Sequence, residues 1–338
     1  MLTGHQTWSF PQPPVILSTA TVVGPDEGEG PLAKDFDIVH GELMLYEDSW
    51  EKAERKLLEE STKLAVENAK LQNGDIQCFV AGDLLNQIVS ATFAARTLTM
   101  PYLGVFGACS TSMESLAIAS MIVSSGYAKH AMAATASHNC TVEKQFRYPT
   151  EYGSQKPPTA QYTVTGSGAA VLGASGEGPR VTSATIGRVV DMGIKDPFNM
   201  GAAMAPAAVD TIQAHLRDLA IEPGHYDMIV TGDLATVGYS IALELFEKHR
   251  VPIGQTNYYD CGLMVYDVNK QNVQSGGSGC ACSAVVTYGH LLKRMRAGDL
   301  NRILVVATGA LLSPLTFQQG ESIPCIAHAV AIDSGRGG

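Results

Sequence analysis

The sequence GACSTSMESLAIASMIVSSG, residues 107–126, decides the fold. Its glycine turn and run of small residues predict a helix that reaches about Ser124, and the apolar stretch Ala131–Thr135 that follows predicts a buried strand. A matching unit lies in the second half, where GSGCACSAVVTYGHLLKRMRAG, residues 277–298, precedes the apolar stretch Ile303–Thr308. Two such units in one chain indicate an internal repeat.

A second matched pair strengthens the repeat. The apolar stretch Ile76–Ala81 runs into Gly82-Asp83-Leu84, and Met228–Thr231 runs into Gly232-Asp233-Leu234. We therefore expect a duplicated α/β chain in which alternating strands and helices form parallel sheets with helices on both faces. The predicted parts are an N-terminal half (1–175), a C-terminal half (176–333) and a loose tail (334–338).

Other elements fit around this frame. Ser49 predicts the start of a long helix from Glu51 to about Gln72, which Asn73-Gly74 ends. The stretch Phe146–Ala160 is rich in Pro, Tyr and charge and predicts an extended loop. A glycine turn at Thr165–Ala170 then leads into a buried strand.

The composition of the 338-residue chain is that of a well-buried, soluble α/β protein, with 45% apolar and 17% charged residues. The net charge of -10 argues against binding to nucleic acid and to an anionic membrane surface. Seven cysteines without a zinc-binding spacing favour a reducing compartment. Neither a signal peptide nor a transmembrane segment is predicted, so we expect any membrane association to run through partner proteins.

The turn at Gly107–Thr111, the duplication and the strand with the sequence Gly-Ser-Gly-Ala-Ala-Val-Leu make the chain resemble the thiolase superfamily, which includes the ketoacyl synthases. The resemblance implies a duplicated five-layer α-β-α-β-α fold, and a homodimer is one expected state. The full sequence also resembles the stage V sporulation protein AD family of Bacillus-type spore formers. That resemblance implies binding of pyridine-2,6-dicarboxylic acid (dipicolinic acid), either free or as its calcium chelate, and work beside membrane proteins at the spore inner membrane.

Cys109 stands where condensing enzymes carry their nucleophile. A helix N-terminus lowers the pKa of a thiol, but acyl transfer also needs a histidine or asparagine partner. Where the resemblance implies those partners, this chain has Gly232-Asp233 and Gly276–Gly279, and the sequence around Cys325 does not fit a late acid-base cysteine. His138 is the best substitute, although a histidine satisfied elsewhere is the plainer interpretation. We therefore expect no catalytic residue, cofactor or resident metal.

If Cys109 is not a catalyst, we expect the N-termini of the two repeated helices, which begin near Cys109 and Gly279, to form an anion-binding pocket. Asp83 and Asp233 hold equivalent repeat positions, where either a calcium contact or helix capping is expected. Arg147 is the cation favoured for a carboxylate. The candidate ligand-binding residues are Cys109, Ser110, Thr111, His138, Arg147, Gly166, Asp233, Ser278 and Gly279.

Three functions follow as hypotheses. The first is non-enzymatic binding of dipicolinic acid, supporting its uptake into the developing spore and its release in germination. The second is a condensing-type acyltransferase that acts through Cys109. The third is a scaffold for membrane proteins that binds no small molecule.

Overall fold

The computed structural model describes residues 1–147, 156–254 and 257–335, apart from the side chain of Arg147. The strands within these residues are β1 (Leu2–Thr3), β2 (Thr7–Ser9), β3 (Val15–Val23), β4 (Ile38–Val39), β5 (Cys78–Gly82), β6 (Tyr102–Gly104), β7 (His130–Ser137), β8 (Tyr162–Thr163), β9 (Gly166–Gly173), β10 (Arg180–Ile186), β11 (Met228–Thr231), β12 (Tyr258–Asp260), β13 (Gly277–Ser278), β14 (Arg302–Ala310) and β15 (Cys325–Asp333). The α-helices are α1 (Pro25–Gly28), α2 (Trp50–Asn68), α3 (Val89–Leu98), α4 (Thr111–Ser124), α5 (Asn139–Val142), α6 (Met200–Leu219), α7 (Ala235–Lys248), α8 (Cys261–Val265), α9 (Cys280–Val285), α10 (Leu292–Ala297) and α11 (Pro314–Gln318).

The two halves repeat one strand order. In the first half the order across the sheet is β3-β9-β7-β5-β6, and in the second it is β10-β15-β14-β11-β12. In each half the first two pairs are antiparallel and the last two are parallel. The expectation of parallel sheets was therefore wrong for β9 and β15, each of which runs antiparallel to both of its neighbours.

The two five-stranded arrays meet at one edge. Arg180 of β10 pairs with Val15 of β3, so hydrogen bonding continues from one half into the other. Residues 174–179, rich in glycine and serine, connect β9 to β10 at this junction.

Helices form layers on both faces of each array. Helices α2 and α3 pack on the first-half strands, and α6 and α7 pack on the second-half strands. Helices α4 and α9 lie between the arrays, where α4 contacts β5 and β7 on one side and β14 and β15 on the other. The hydroxyls of Ser112 and Ser283 join the two central helices at 2.6 Å. The chain thus has the expected five-layer α-β-α-β-α arrangement, with α4 and α9 in its middle layer.

The predicted helices and strands occur with small shifts in their bounds. Ser49 caps α2 by accepting a hydrogen bond from the Lys52 N–H at 3.3 Å. The second-half helix runs through α9, a π-helical turn at Val286–Leu291 and α10, and it ends at Gly298 with a φ of 95°. The predicted loop at 146–160 begins inside a π-helical turn, Glu143–Arg147, and residues 148–155 lie outside the described part of the chain.

Candidate functional site

The turn before α4 is held by its own hydroxyl groups. The Ser110 hydroxyl donates to the Gly107 carbonyl at 2.6 Å, and the Thr111 hydroxyl donates to the Ala108 carbonyl at 2.7 Å. Ala108 adopts a left-handed φ of 51°, which turns the chain sharply just before Cys109. Ser110 and Thr111 therefore serve the turn, and both are fully buried.

The second half presses on this turn from β14. A Cβ on Gly309 would lie 2.2 Å from the Gly107 carbonyl oxygen, so only glycine permits this approach of the two backbones. The turn that carries Cys109 is thus packed tightly against β14 of the second half.

Asp233 lies beside Cys109 and accepts hydrogen bonds from three donors on two segments of the chain. Its Oδ1 accepts from the Thr308 hydroxyl at 2.5 Å, and its Oδ2 accepts from the Ser278 hydroxyl at 3.2 Å and the Gly279 N–H at 3.0 Å. Burial raises the pKa of the Asp233 carboxyl to about 6, against the lowering effect of these hydrogen bonds.

Cys109 is a protonated thiol in this setting. Its burial raises the thiol pKa well above 9.0, and the negative charge of Asp233 raises it further. The lowered pKa expected at a helix N-terminus is therefore overturned, because the thiolate loses its hydration and faces a carboxylate.

His138 and Cys325, the two residues that could have assisted Cys109, are engaged elsewhere. His138 caps α5: its Nδ1 accepts from the Cys140 N–H at 3.0 Å, and its Nε2–H donates to the Leu43 carbonyl at 2.8 Å. Burial lowers the pKa of His138, in keeping with a neutral ring whose two nitrogens are both engaged. Cys325 is buried in β15, where its thiol contacts the Ile323 carbonyl at 3.5 Å.

A small cavity opens beside Cys109. It encloses about 40 Å³, close to the room that one water molecule needs. Most of the wall is apolar, and no Lys, Arg or His lines it among the residues that the structure describes. The lining residues are Leu84, Phe106, Ala108, Cys109, Val142, Phe146, Thr163, Met200, Ser278, Ala310 and Leu312.

The structure brings together most, but not all, of the predicted site residues. Cys109 and Ser278 line the cavity, and Ser110, Thr111, Asp233 and Gly279 form the two turns directly behind them. His138 and Gly166 are buried but are not among the lining residues. Arg147 ends the π-helical turn that carries Phe146, and its side chain lies outside what the structure describes.

The two repeat aspartates do different work. Asp83 accepts from the N–H groups of Leu85 at 2.8 Å and Ala91 at 2.7 Å, so it caps α3 as expected. Asp233 does not cap α7, and that expectation was wrong. Asp260 takes the role instead, accepting from the N–H groups of Leu234 and Ala235 at 2.8 and 2.9 Å. Within the described residues, no group of three or more His, Cys, Asp and Glu forms a metal site.

Several site residues were missed from the sequence. Thr308 ends the predicted strand beside Met228–Thr231, and parallel neighbours bring their carboxyl ends to one edge, so this residue could have been found. The apolar wall from Leu84, Val142 and Met200 gave no such signal, since apolar residues near turns are common.

The whole chain matches one protein family. The family model described as stage V sporulation protein AD matches residues 4–333. The chain is 53% identical over 336 residues to the stage V sporulation protein AD of Bacillus subtilis (strain 168), covering 99% of each chain. The chain belongs to the stage V sporulation protein AD family. This family membership makes the chain a sporulation protein.

Solved structures show the fold of this stage V sporulation protein AD family member. A variant of OleA from Xanthomonas campestris matches with a TM-score of 0.63 at 14% identity, covering 97% of this chain and all (100%) of that one. The 3-oxoacyl-[acyl-carrier-protein] synthase III of Aquifex aeolicus VF5 matches with a TM-score of 0.57 at 14% identity, covering 95% of this chain and 99% of that one. Human mitochondrial 3-ketoacyl-CoA thiolase, in complex with CoA, matches with a TM-score of 0.58 at 12% identity, covering 96% of this chain and 99% of that one. The fold is therefore thiolase-like, as expected.

Among the described residues, no helix has both the length and the apolar character needed to cross a membrane.

Proposed function

We propose that this protein binds dipicolinic acid without transforming it, and so supports uptake of the acid into the developing spore and its release in germination. The observation that carries the proposal is the pairing of Cys109 with Asp233. A condensing enzyme needs a thiolate, whereas burial and the Asp233 carboxylate keep this thiol protonated. What remains of the site is a shaped pocket between two turns.

The pocket wall suits a flat ring. Leu84, Val142 and Met200 supply apolar surface, and Ser278 and Thr163 supply hydroxyl groups at the margin. Small-molecule sites combine an apolar wall with a few polar groups in this way. A rigid dicarboxylate loses little conformational entropy on binding, which favours it over a flexible anion.

The described cavity must widen to admit such a ligand. Its volume of about 40 Å³ is smaller than a six-membered ring with two carboxylates, which takes the space of several waters. Phe106 follows β6, and Phe146 lies on the π-helical turn Glu143–Arg147, so neither belongs to the main helices and strands of the layers. We expect their movement to open the site at the least cost in packing.

The charge of the pocket bears on the form of the ligand. With Asp233 behind the wall and no cation on it among the described residues, a free dianion enters an environment that offers no countercharge. The calcium chelate brings its own countercharge. We expect the chelate to bind at least as tightly as the free acid.

Calorimetry tests the proposal. Dipicolinate and its calcium chelate are titrated into the protein, with benzoate as a monocarboxylate control. Ala310→Leu fills the pocket and is expected to weaken binding at least about tenfold, whereas Ala95→Leu enlarges an equally buried alanine on α3 and leaves binding unchanged. Absence of heat from both forms of the ligand, with folded protein, contradicts the proposal.

The place of action is part of the proposal. We infer that the protein is held at the spore inner membrane by membrane proteins of the same transport complex. Co-purification from spore membranes, with and without a high-salt wash, tests this placement. Recovery only in the fraction that never contacts membrane contradicts it.

A homodimer completes the proposed assembly. Strand β6 lies at the edge of the first-half array, and Leu103 within it and Phe106 after it are 43% and 48% exposed. An uncovered edge with apolar side chains is suited to pairing with another copy. Light scattering is expected to give a dimer for the native protein and a monomer for Leu103→Lys.

The acyltransferase alternative is tested by mass spectrometry after incubation with acyl-coenzyme A thioesters. The proposal expects no adduct. An acyl adduct on Cys109 that Cys109→Ala abolishes favours the alternative instead.

A further inference from the structure

Ser278 connects the cavity to Asp233, which lies directly behind the cavity wall. The Gly279 N–H and the Ser278 hydroxyl both point at Oδ2 of this carboxylate, and Ser278 also lines the cavity. Gly279 has a φ of 96°, and a Cβ there would lie 2.7 Å from the Ser137 hydroxyl, so the turn is closely built. These are the backbone and hydroxyl donors that suit a carboxylate.

The carboxylate that occupies them belongs to the chain itself. Asp233 is 1% exposed, and the contacts of its carboxylate come from Thr308, Ser278, Gly279 and Cys109, none of which carries a positive charge. An ionised Asp233 therefore satisfies the donors and adds a negative charge beside the cavity. A neutral Asp233 removes that charge and offers an O–H donor of its own.

We propose that Asp233 is an internal competitor for the anion-binding donors of the pocket, so that a carboxylate ligand binds to the form of the protein in which Asp233 is neutral. The inference rests on the proposed function and adds its specificity and its control by pH. Asp233 is then a residue that selects the protonation state in which the pocket accepts an anion.

Other titratable groups face Asp233 from the elements packed around it. The thiols of Cys109, Cys261 and Cys282 have pKa values raised well above 9.0 by burial, and burial raises that of Cys325 to about 12. These thiols stay neutral between about pH 6 and 8. Asp260 is the neighbour that titrates nearby, since burial raises its pKa to about 7.

The pKa of Asp233, about 6, places the effect in an accessible range. Apparent affinity scales with the fraction of protein in the competent state. Above about pH 7 that fraction falls about tenfold per pH unit, while ordinary carboxylate ligands remain ionised throughout. Binding of an anion is thus expected to take up a proton.

The experiment is calorimetry with dipicolinate from about pH 6 to 8 on three proteins. The affinity of wild type for dipicolinate is expected to fall by about tenfold per pH unit above about pH 7. Asp233→Asn, which is neutral at every pH, is expected to show a flat profile and up to about 100-fold tighter binding than wild type at about pH 8. Asp83→Asn, the equivalent position in the first half, is the matched control and is expected to keep the wild-type slope.

The outcomes separate the two proposals. Binding by wild type and Asp233→Asn with the same pH slope overturns the role of Asp233 and leaves the proposed function standing. Binding by Asp233→Asn alone supports the competition directly. Absence of binding by both folded proteins at every pH overturns the inference together with the proposed function.

Discussion

Asp83 and Asp233 occupy the same place in the two halves, after a buried strand and a glycine, yet their surroundings differ. Asp83 contacts N–H groups within eight residues of itself in the chain, at Leu85 and Ala91. Asp233 contacts groups that are 75 and 46 residues away, at Thr308 and Gly279. One aspartate stabilises its own half, and the other lies between the halves beside Cys109.

The difference shows how, in a duplicated fold, one residue can stabilise a helix while another contributes to the candidate site. In the second half Asp260 has taken over the cap of the helix after the turn, which frees Asp233 from local work. Loss of a cap in a duplicated unit is thus a sign that the residue has acquired long-range partners.

The largest expected effect concerns the replacement cap. Asp260→Ala leaves the N–H groups of Leu234 and Ala235 and the Thr231 hydroxyl without their acceptor in the interior. We expect the free energy of unfolding to fall by about 4 kcal/mol, measured by urea denaturation. Asp210→Ala, which breaks an exposed pair with Arg188, is the control and is expected to cost less than about 1 kcal/mol. A loss below about 1 kcal/mol for Asp260→Ala contradicts its capping role.

A second effect appears in the pH dependence of stability. Burial raises the pKa of Asp233 from 3.8 to about 6 in the folded protein, so folding binds a proton between these values. The stability that this group contributes is complete below about pH 4 and is lost as the pH rises through about 6. Asp233→Asn avoids the loss, so its stability relative to wild type is expected to rise by up to about 3 kcal/mol between about pH 4 and 7.

The comparison of variant with wild type at each pH matters here. Burial lowers the pKa of His215 and of His328 to about 4. These two histidines therefore destabilise the folded protein as the pH falls below about 6.5, an effect opposite in sign to that of the Asp233 carboxyl. Their contribution cancels in the difference between the two proteins. A difference that stays constant from about pH 4 to 7 shows that Asp233 has an ordinary pKa.

The sequence predicted the frame better than the site. The repeat, the strand at Met228–Thr231 and the cap at Ser49 depend on local pattern, and the structure has all three. The antiparallel direction of β9 and β15 was missed, because strand direction depends on pairing between distant residues. The partners of Asp233 were missed for the same reason, since Thr308 lies 75 residues away and is brought to Asp233 only by the pairing of β14 with β11.

A third effect tests the contrast between the aspartates themselves. Asp83→Ala removes a cap and leaves two buried N–H groups unpaired, so we expect a loss of about 2 kcal/mol. Asp233→Ala removes a buried acid whose ionisation costs stability, and its hydroxyl partners can rotate, so at about pH 7 we expect about 1 kcal/mol or less. Thermal unfolding of both variants at that pH is the measurement. Equal losses of stability in the two variants contradict the proposed difference between the roles of Asp83 and Asp233.

The smallest effect is expected at the nucleophile position. Cys109 already borders a cavity, so Cys109→Ala removes few packing contacts, and a change of about 1 kcal/mol or less is expected in urea denaturation. Cys280→Ala is the comparison, because this buried thiol donates to the Ala136 carbonyl at 2.9 Å. A larger loss for Cys109→Ala than for Cys280→Ala assigns Cys109 a structural role.

The protonation state of Cys109 tests the central claim most directly. Thiolate absorbance in the ultraviolet, recorded from about pH 6 to 9 for wild type and for Cys109→Ala, isolates this thiol by difference. The account predicts no step across this range, because burial and Asp233 hold the thiol protonated. A step in the difference signal with a midpoint below about pH 8 contradicts it and restores Cys109 as an activated nucleophile.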